Sequence, residues 1–326
     1  MKIPPITRPV LCLGDACPDI LLPYGDTRRV LAAVERGEAV DGPQRGAELS
    51  PGGSIANTAS GLGRLGCPCL FAGRAGRDFY GLYLREAFLR DGVDVSRFHL
   101  DPEISTMMVL IVDGEDGERV PYAMPREKGS QNQIRPEDLP DSLLSEIGWV
   151  HTSGIMLRED PAASSIADFV ERCAGAGVPV SLDVNLRIEA MGQGEDKLRR
   201  VADRAAVLFG SGPDELMPLT GKGSPREAAL SLVRPGRAVV CRLGAGGSTV
   251  YWEGGESHCP AFPVEVVDTV GAGDAFNSGF LAALAAGEDL AEANRWGSGA
   301  AALNLTGKGA RNCPRREILE KFLRTN

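Results

Sequence analysis

Between Asp268 and Phe276 the chain reads Asp-Thr-Val-Gly-Ala-Gly-Asp-Ala-Phe, so three small residues, Gly271, Ala272 and Gly273, run into the acid Asp274. Beyond it Phe276, Phe280, Leu281 and Leu284 recur at helical spacing and Gly287 supplies a stop, which predicts a helix beginning at the acid. A helix start carries N–H groups without internal acceptors and a partial positive charge. Glycines let a ligand come close to that main chain. The run therefore combines an anion-binding turn with a carboxylate at its lip. Phosphoryl transfer to an alcohol uses both, as donors for the developing phosphate charge and an acceptor for the hydroxyl proton. An acid capping an ordinary helix would read the same locally, so the decision falls to the rest of the chain.

Such a turn needs a scaffold, and the patterning supplies one. Strand-like apolar runs at 9–13, 70–72, 147–152, 178–182, 205–209 and 238–241 alternate with helical patterns at 54–65, 79–90, 162–174 and 289–303, and a final helix is expected over 314–323. This alternation implies an α/β fold with a mostly parallel sheet covered on both faces. Ligands of such sheets bind at the carboxyl ends of the strands. Asp15 and Asp19 follow the first run, Asp183 follows 178–182, and Gly244 follows 238–243. Two segments break the rhythm. Residues 18–50 are polar with a short helix over 27–36, and 106–124 reads as a strand pair around Asp113-Gly114-Glu115-Asp116-Gly117. Together they predict a small β-rich lid from 18–50 and 104–126, on a large domain from 1–17, 51–103 and 127–326.

Composition narrows the classes. A chain of 326 residues suits one large α/β domain with a small appendage. With 43% hydrophobic and 24% charged residues it reads as a soluble globular protein, and a net charge of −9 argues against a broad nucleic-acid surface. No apolar run approaches a membrane span and the start of the chain lacks a signal-peptide core, so a cytoplasmic location is expected. Of eight cysteines only Cys67 and Cys69 are close in sequence, and no second pair completes a zinc site, so buried free thiols are expected. His99, His151 and His258 lie far apart and no nucleophile motif supports a Ser-His-Asp triad. Gly61-Leu62-Gly63-Arg64-Leu65-Gly66 spells a dinucleotide fingerprint but closes a helical pattern and precedes a strand, the reverse of what a dinucleotide turn requires. Close helix packing is expected there, and an NAD-dependent dehydrogenase rests on nothing else. P-loop spacing is absent from the sequence.

Pro51-Gly52-Gly53-Ser54-Ile55-Ala56-Asn57-Thr58-Ala59, continuing to Leu65-Gly66, resembles the N-terminal signature of the ribokinase-like (PfkB) carbohydrate kinases, and the run at 268–276 resembles their C-terminal signature. Gly73-Arg74-Ala75-Gly76-Arg77-Asp78, Asp183-Val184-Asn185-Leu186-Arg187 and Gly244-Ala245-Gly246-Gly247 are similar to the family's G-x-x-G-x-D, D-x-N-x-R and G-x-x-G stretches, in the family's order. The resemblance implies a ribokinase-like three-layer sandwich with a mostly parallel central sheet and a small β-rich lid. It implies ATP-dependent phosphorylation of a hydroxyl on a sugar or sugar acid of the fructose, ribose or 2-keto-3-deoxygluconate type.

It also implies roles. Asp274 would be the catalytic base and Gly271, Ala272 and Gly273 the anion hole. Asp19, Gly52, Gly53 and Asn57 would bind the sugar, with Arg187 meeting the transferring phosphoryl group or an anionic part of the substrate. Gly244, Gly247 and Ser211 would lie along ATP. Glu215 and Asp183 would hold magnesium through water, and Asp268 with Thr269 would belong to a potassium site. Gly212 stands where the family's N-x-x-E motif has Asn, and Ser211 or Asp214 is expected to substitute. Arg119 and Arg126 either read an acidic sugar or are solvated charges of the hairpin. A homodimer through the lid is implied. The alternatives are a non-catalytic sugar or nucleotide sensor on the same fold and a nucleoside kinase, although Thr152-Ser153-Gly154-Ile155 resembles the sugar branches more than the nucleoside ones.

Overall fold

The computed structural model of the protein describes residues 3–39, 46–113, 119–124, 129–185 and 194–326. The strands are β1 (Val10–Leu13), β2 (Cys17–Pro23), β3 (Glu48–Gly52), β4 (Cys69–Gly76), β5 (Asp94–Asp101), β6 (Met108–Asp113), β7 (Arg119–Met124), β8 (Trp149–Ser153), β9 (Val180–Asp183), β10 (Ala205–Ser211), β11 (Ala238–Arg242), β12 (Ser248–Trp252) and β13 (Gly255–Cys259). The helices are α1 (Tyr24–Arg36), α2 (Ser54–Arg64), α3 (Phe79–Asp91), α4 (Leu143–Glu146), α5 (Ala162–Gly175), α6 (Glu195–Arg204), α7 (Met217–Thr220), α8 (Pro225–Leu232), α9 (Ala272–Ala285), α10 (Leu290–Leu305) and α11 (Arg316–Thr325).

The main sheet has the order β13-β12-β11-β10-β9-β8-β1-β4-β5. Every pair from β11 to β5 is parallel, while β12 and β13 return antiparallel at one edge. Strands β1, β4, β8 and β9 are buried along their whole length, as a sheet covered on both faces requires. Apolar side chains from α2, α3, α9, α10 and α11 fill one face, and those from α5, α6 and α8 fill the other, which gives the three layers. A second sheet, β3-β2-β6-β7, contains the segments expected to form the lid. Its β2–β3 and β6–β7 pairs are antiparallel and its β2–β6 pair is parallel. The helix expected at 27–36 begins earlier, at Tyr24.

Neighbouring β11, β10, β9, β8 and β1 end side by side, and this ordering builds the site. Their carboxyl ends carry Arg242, Ser211, Asp183 and Ser153, with Asp15 two residues beyond β1. The topology thus lines up groups far apart in sequence along one rim, where open α/β sheets bind ligands.

The glycine run 61–66 is a packing device. It closes α2, and a Cβ at Gly61 would fall 2.2 Å from Ser278 Oγ of α9, while one at Gly63 would fall 2.3 Å from the Asp91 carbonyl. All eight cysteines are buried and free, as expected. His151 is buried against Ser181, and burial lowers its pKa to about 4, leaving a neutral core imidazole. No helix among the described residues is long and apolar enough to cross a membrane.

Candidate active site

Two helix N-termini meet at the rim. Helix α9 starts from Gly271, whose φ of +77° and a virtual Cβ 2.3 Å from the Ala310 carbonyl exclude other residues. Helix α2 starts from Gly53 at φ +94°, close against the Asp15 backbone. Asp15 caps α2, Oδ2 accepting from the Ser54 N–H at 2.9 Å and Oδ1 from the Ile55 N–H at 3.1 Å. The facing first turns grip Asp274. Ser54 Oγ donates to its Oδ1 at 2.7 Å, and Asn57 Nδ2 donates to its Oδ2 at 2.9 Å. Ser54 Oγ has given its only proton to Asp274, so it accepts from Asn185 Nδ2 at 2.9 Å.

Burial pushes the Asp274 carboxyl up to about 7, the Asn57 and Ser54 bonds oppose that rise, and the charges of Asp183 and Asp15 add to it. The group is therefore poised between acid and base near neutral pH. Beside it the first peptides of α9 present N–H groups that cannot be satisfied within the helix.

A continuous cleft of 1390 Å³ runs past this point. At one end stand Asp19, Gly53, Cys17, Met107, Val109, Ile155 and Met156. Burial lifts Asp19 to about 6, although the nearby Arg311 charge opposes it. Gly52 and Asn57, expected to face a sugar, stand behind this wall rather than on it. A Cβ at Gly52 would lie 2.3 Å from Asp19 Oδ2, and the Gly52 carbonyl accepts from Arg311 Nη2 at 3.1 Å. Asn57 is 7% exposed, with both ends of its amide engaged, by Asp274 and by Arg311.

The other end is lined by glycines and apolar side chains. Gly244 and Gly247 have φ of +57° and +81°, and a Cβ at Gly247 would lie 2.1 Å from the Cys259 carbonyl. Phe262, Val264, Val266, Ala301 and Leu305 form an apolar slot beside them. Between slot and base lies an ion network that sequence reasoning did not find. Arg242 reaches both oxygens of Asp183, at 2.7 and 3.0 Å, and Glu215 Oε2 at 3.4 Å. It also donates to Asn277 Oδ1 and to the Gly273 carbonyl in the first turn of α9. Asp183 is 2% exposed and accepts a further bond from Asn277 Nδ2 at 2.6 Å. Glu215, pushed up to about 7 chiefly by burial and by Asp183, takes the Ser211 N–H and Arg242 on Oε2. Its Oε1 carries neither bond, so Glu215 has capacity for a hydrated magnesium ion that Asp183 has already spent.

The remaining expected residues divide. Ser211 lines the cleft but its hydroxyl bonds Asp214 at 2.8 Å, so the two expected substitutes for the missing Asn hold each other. Gly212 has a steric reason to be glycine, since a Cβ there would lie 2.7 Å from Pro225 Cβ and 2.8 Å from Cys241 Sγ. Thr269 lines the cleft; Asp268 is buried and pins its turn by accepting from the Val270 and Gly309 N–H groups at 3.1 and 2.9 Å. Arg187, Arg126 and the turn at 114–117 lie outside the described residues.

Residues 21–317 match the sequence model described as pfkB family carbohydrate kinase. Aminoimidazole riboside kinase of Salmonella typhimurium is 34% identical over 282 residues, 84% of this chain and 88% of that one. Fructokinase of Klebsiella pneumoniae is 33% identical over 335 residues, 95% of this chain and 98% of that one. A double mutant of Vibrio cholerae fructokinase, solved with fructose, ADP and a potassium ion, superimposes with a TM-score of 0.81 at 28% identity, covering 98% of this chain and 99% of that chain.

Proposed function

The chain belongs to the pfkB family of carbohydrate kinases, and from that premise we propose that it transfers the γ-phosphoryl group of ATP to fructose. Sugar phosphorylation from ATP is the activity the family supports. The choice of fructose is supported by fructokinases among the relatives, two of them alignable over almost the whole of both chains.

The observation that carries the mechanism is Asp274, held by Ser54 and Asn57 at the mouth of the α9 anion turn. In this reading Asp19 orients the sugar and Asp274 receives the proton of the attacking hydroxyl. As the new O–P bond forms, the bond from the γ-phosphorus to the β,γ-bridging oxygen breaks and ADP departs. The first N–H groups of α9 take up charge on the phosphoryl oxygens. Gly244 and Gly247 let the nucleotide lie on backbone, and the apolar slot takes its base. Glu215, with Asp183 behind it, is the residue for magnesium, which when bound would offset phosphate charge. A potassium ion beside the Asp268–Thr269 turn belongs to the same reading. So do a cytoplasmic location, where ATP is supplied, and a homodimer through the small sheet. That sheet would cover the sugar and exclude water from the phosphoryl group. A role for Arg187 at the phosphoryl group is retained as part of this proposal.

One observation favours a second acceptor. Met107, Val109 and Ile155 give the sugar end an apolar side that suits the ring of a riboside, and the Salmonella relative acts on aminoimidazole riboside. ADP release from ATP-magnesium measured with fructose, ribose, 2-keto-3-deoxygluconate, aminoimidazole riboside and adenosine decides between them. Preference for fructose supports the proposal. Preference for a riboside moves it to the second reading. ATP and sugar binding without ADP release would make the protein a sensor.

A further inference from the structure

The partly buried guanidinium of Arg311 touches the group that holds the base. Its Nε donates to Asn57 Oδ1 at 3.1 Å and its Nη2 to the Gly52 carbonyl at 3.1 Å. Its Cζ lies 5.0 Å from the Phe88 ring centroid, so its position is fixed by packing as well as by bonds. Its Nη1 is buried without a hydrogen-bond partner among the described residues, which marks the group as held in place at some cost.

The chemistry of the chain Arg311–Asn57–Asp274 leaves one arrangement. A guanidinium only donates and a carboxylate only accepts, whereas an amide has one end of each kind. Arg311 therefore commits Oδ1 of Asn57 to itself and turns Nδ2 toward Asp274 Oδ2. Were the amide to turn over, its oxygen would face the carboxylate and repel it. We propose that Arg311 is a positioning residue for phosphoryl transfer, which fixes the Asn57 amide and through it holds the Asp274 carboxylate at the acceptor hydroxyl. The same guanidinium anchors the Gly52 carbonyl beneath Asp19, so one side chain sets both the base and the floor of the sugar end.

The role in catalysis rests on the kinase reading. The geometry also predicts a change in the protein without substrate. Asp274 faces Asp15, Asp183 and Arg242 in addition to Ser54 and Asn57. Arg311 faces Cys17, Asp19, Tyr83 and Asp91. Of these, Asn57 is the hydrogen-bonded link between Arg311 and the base.

The test uses Arg311→Met, Asn57→Ala, the double variant and Asn57→Asp. The first readout is the titration of the Asp274 carboxyl by NMR in the substrate-free protein; the second is kcat, KM and their pH profiles with the acceptor found for the wild type. Loss of a charge-assisted bond is worth roughly ten- to a hundredfold. Arg311→Met should therefore lower kcat by about that factor, move the Asp274 titration to higher pH, and leave KM for ATP within roughly twofold. In the Asn57→Ala background it should cost little more, because the link is already gone. Asn57→Asp is nearly isosteric and can still accept from Arg311, but ionised beside that guanidinium it cannot donate to Asp274, so it should lose activity while staying folded. The proposal is overturned if Arg311→Met leaves the Asp274 titration in place, if the two losses multiply in the double variant, or if Asn57→Asp keeps wild-type kcat. If Arg311→Met does not fold, Asn57→Asp and Arg311→Lys carry the test, the lysine variant being expected to keep part of the titration. Because the carboxyl titration needs no substrate, it judges Arg311 even where every acceptor proves inert, an outcome that would count against the kinase reading instead.

Discussion

Removing the Ser54 hydroxyl should change the pH at which the protein works more than the rate it can reach. Ser54 Oγ donates to Asp274 Oδ1 at 2.7 Å, and this bond opposes the burial that lifts the carboxyl to about 7. A hydrogen bond to a charged group contributes about 1.5–3 kcal/mol, and one pKa unit corresponds to about 1.4 kcal/mol, so Ser54→Ala should raise Asp274 by about 1–2 units. The sign follows from the base role: below its pKa the carboxyl is protonated and cannot take the hydroxyl proton, so activity is lost as pH falls. At pH 7 the ionised fraction would drop from roughly half to between about 1 and 10%, a loss of roughly five- to fiftyfold in kcat/KM. At pH 9.5 the base is largely ionised in both proteins, and the rates should come within roughly twofold. The assay is coupled ADP release from pH 5.5 to 9.5 at low acceptor concentration, since kcat/KM reports the free enzyme. An equal loss at every pH, with the acid limb unmoved, would refute the assignment of Asp274 as a base tuned by Ser54.

Other expectations follow from the same geometry. Gly212→Asn, which restores the residue usual in the family, should cost about 1–3 kcal/mol of stability rather than improve activity, because Pro225 and Cys241 occupy the space its Cβ needs; thermal unfolding would show it. Gly247→Ala, at φ +81° and against the Cys259 carbonyl, should raise KM for ATP more than it lowers kcat, and unchanged ATP kinetics would contradict the backbone cradle. The raised Asp274 pKa means that its ionisation opposes folding as pH rises from the unfolded value of 3.8 through about 7, so Asp274→Asn should unfold at a higher temperature than wild type at pH 8, with the gap closing toward pH 5. If a potassium ion supports the Asp268–Thr269 turn, turnover should fall when potassium is replaced by tetramethylammonium, and equal rates in the two salts would remove the cation from the account.

The parts of the fold legible in sequence were those where one physical requirement dominates. β10 and β11 announce themselves because a strand buried between two helix layers must be continuously apolar, and α9 because it is a helix with a glycine turn before it. The edges were less legible. β5, β12 and β13 alternate with polar residues or meet solvent, as in Gly-Glu-Ser-His-Cys of β13, and helices α6 and α8 are short and highly polar or Ala-rich. At the site, Gly271, Gly244 and Gly247 were readable because a positive φ demands glycine there, and Asp274 because it follows the glycine turn at the start of a helix. Asp15 reads in the sequence only as an acid after a strand; that it caps α2 depends on a contact across 39 residues. Arg242 and Arg311 carried no local signal. One is the last residue of an ordinary strand and the other sits in a loop, and each acquires its role only when the sheet order brings β9, β10 and β11 together or when the C-terminal loop folds under α2. A strand-terminal Arg was the one clue to Arg242, since the buried acid that ends β9, Asp183, requires a countercharge.

The most direct test of the central claim compares wild type with Asp274→Asn in single-turnover transfer from ATP to the preferred acceptor, with ATP binding measured on the same samples. The account predicts that the variant binds ATP with wild-type affinity and loses phosphoryl transfer by roughly 10²–10⁴-fold, the usual contribution of a positioned general base. A variant that transfers at nearly the wild-type rate would contradict it.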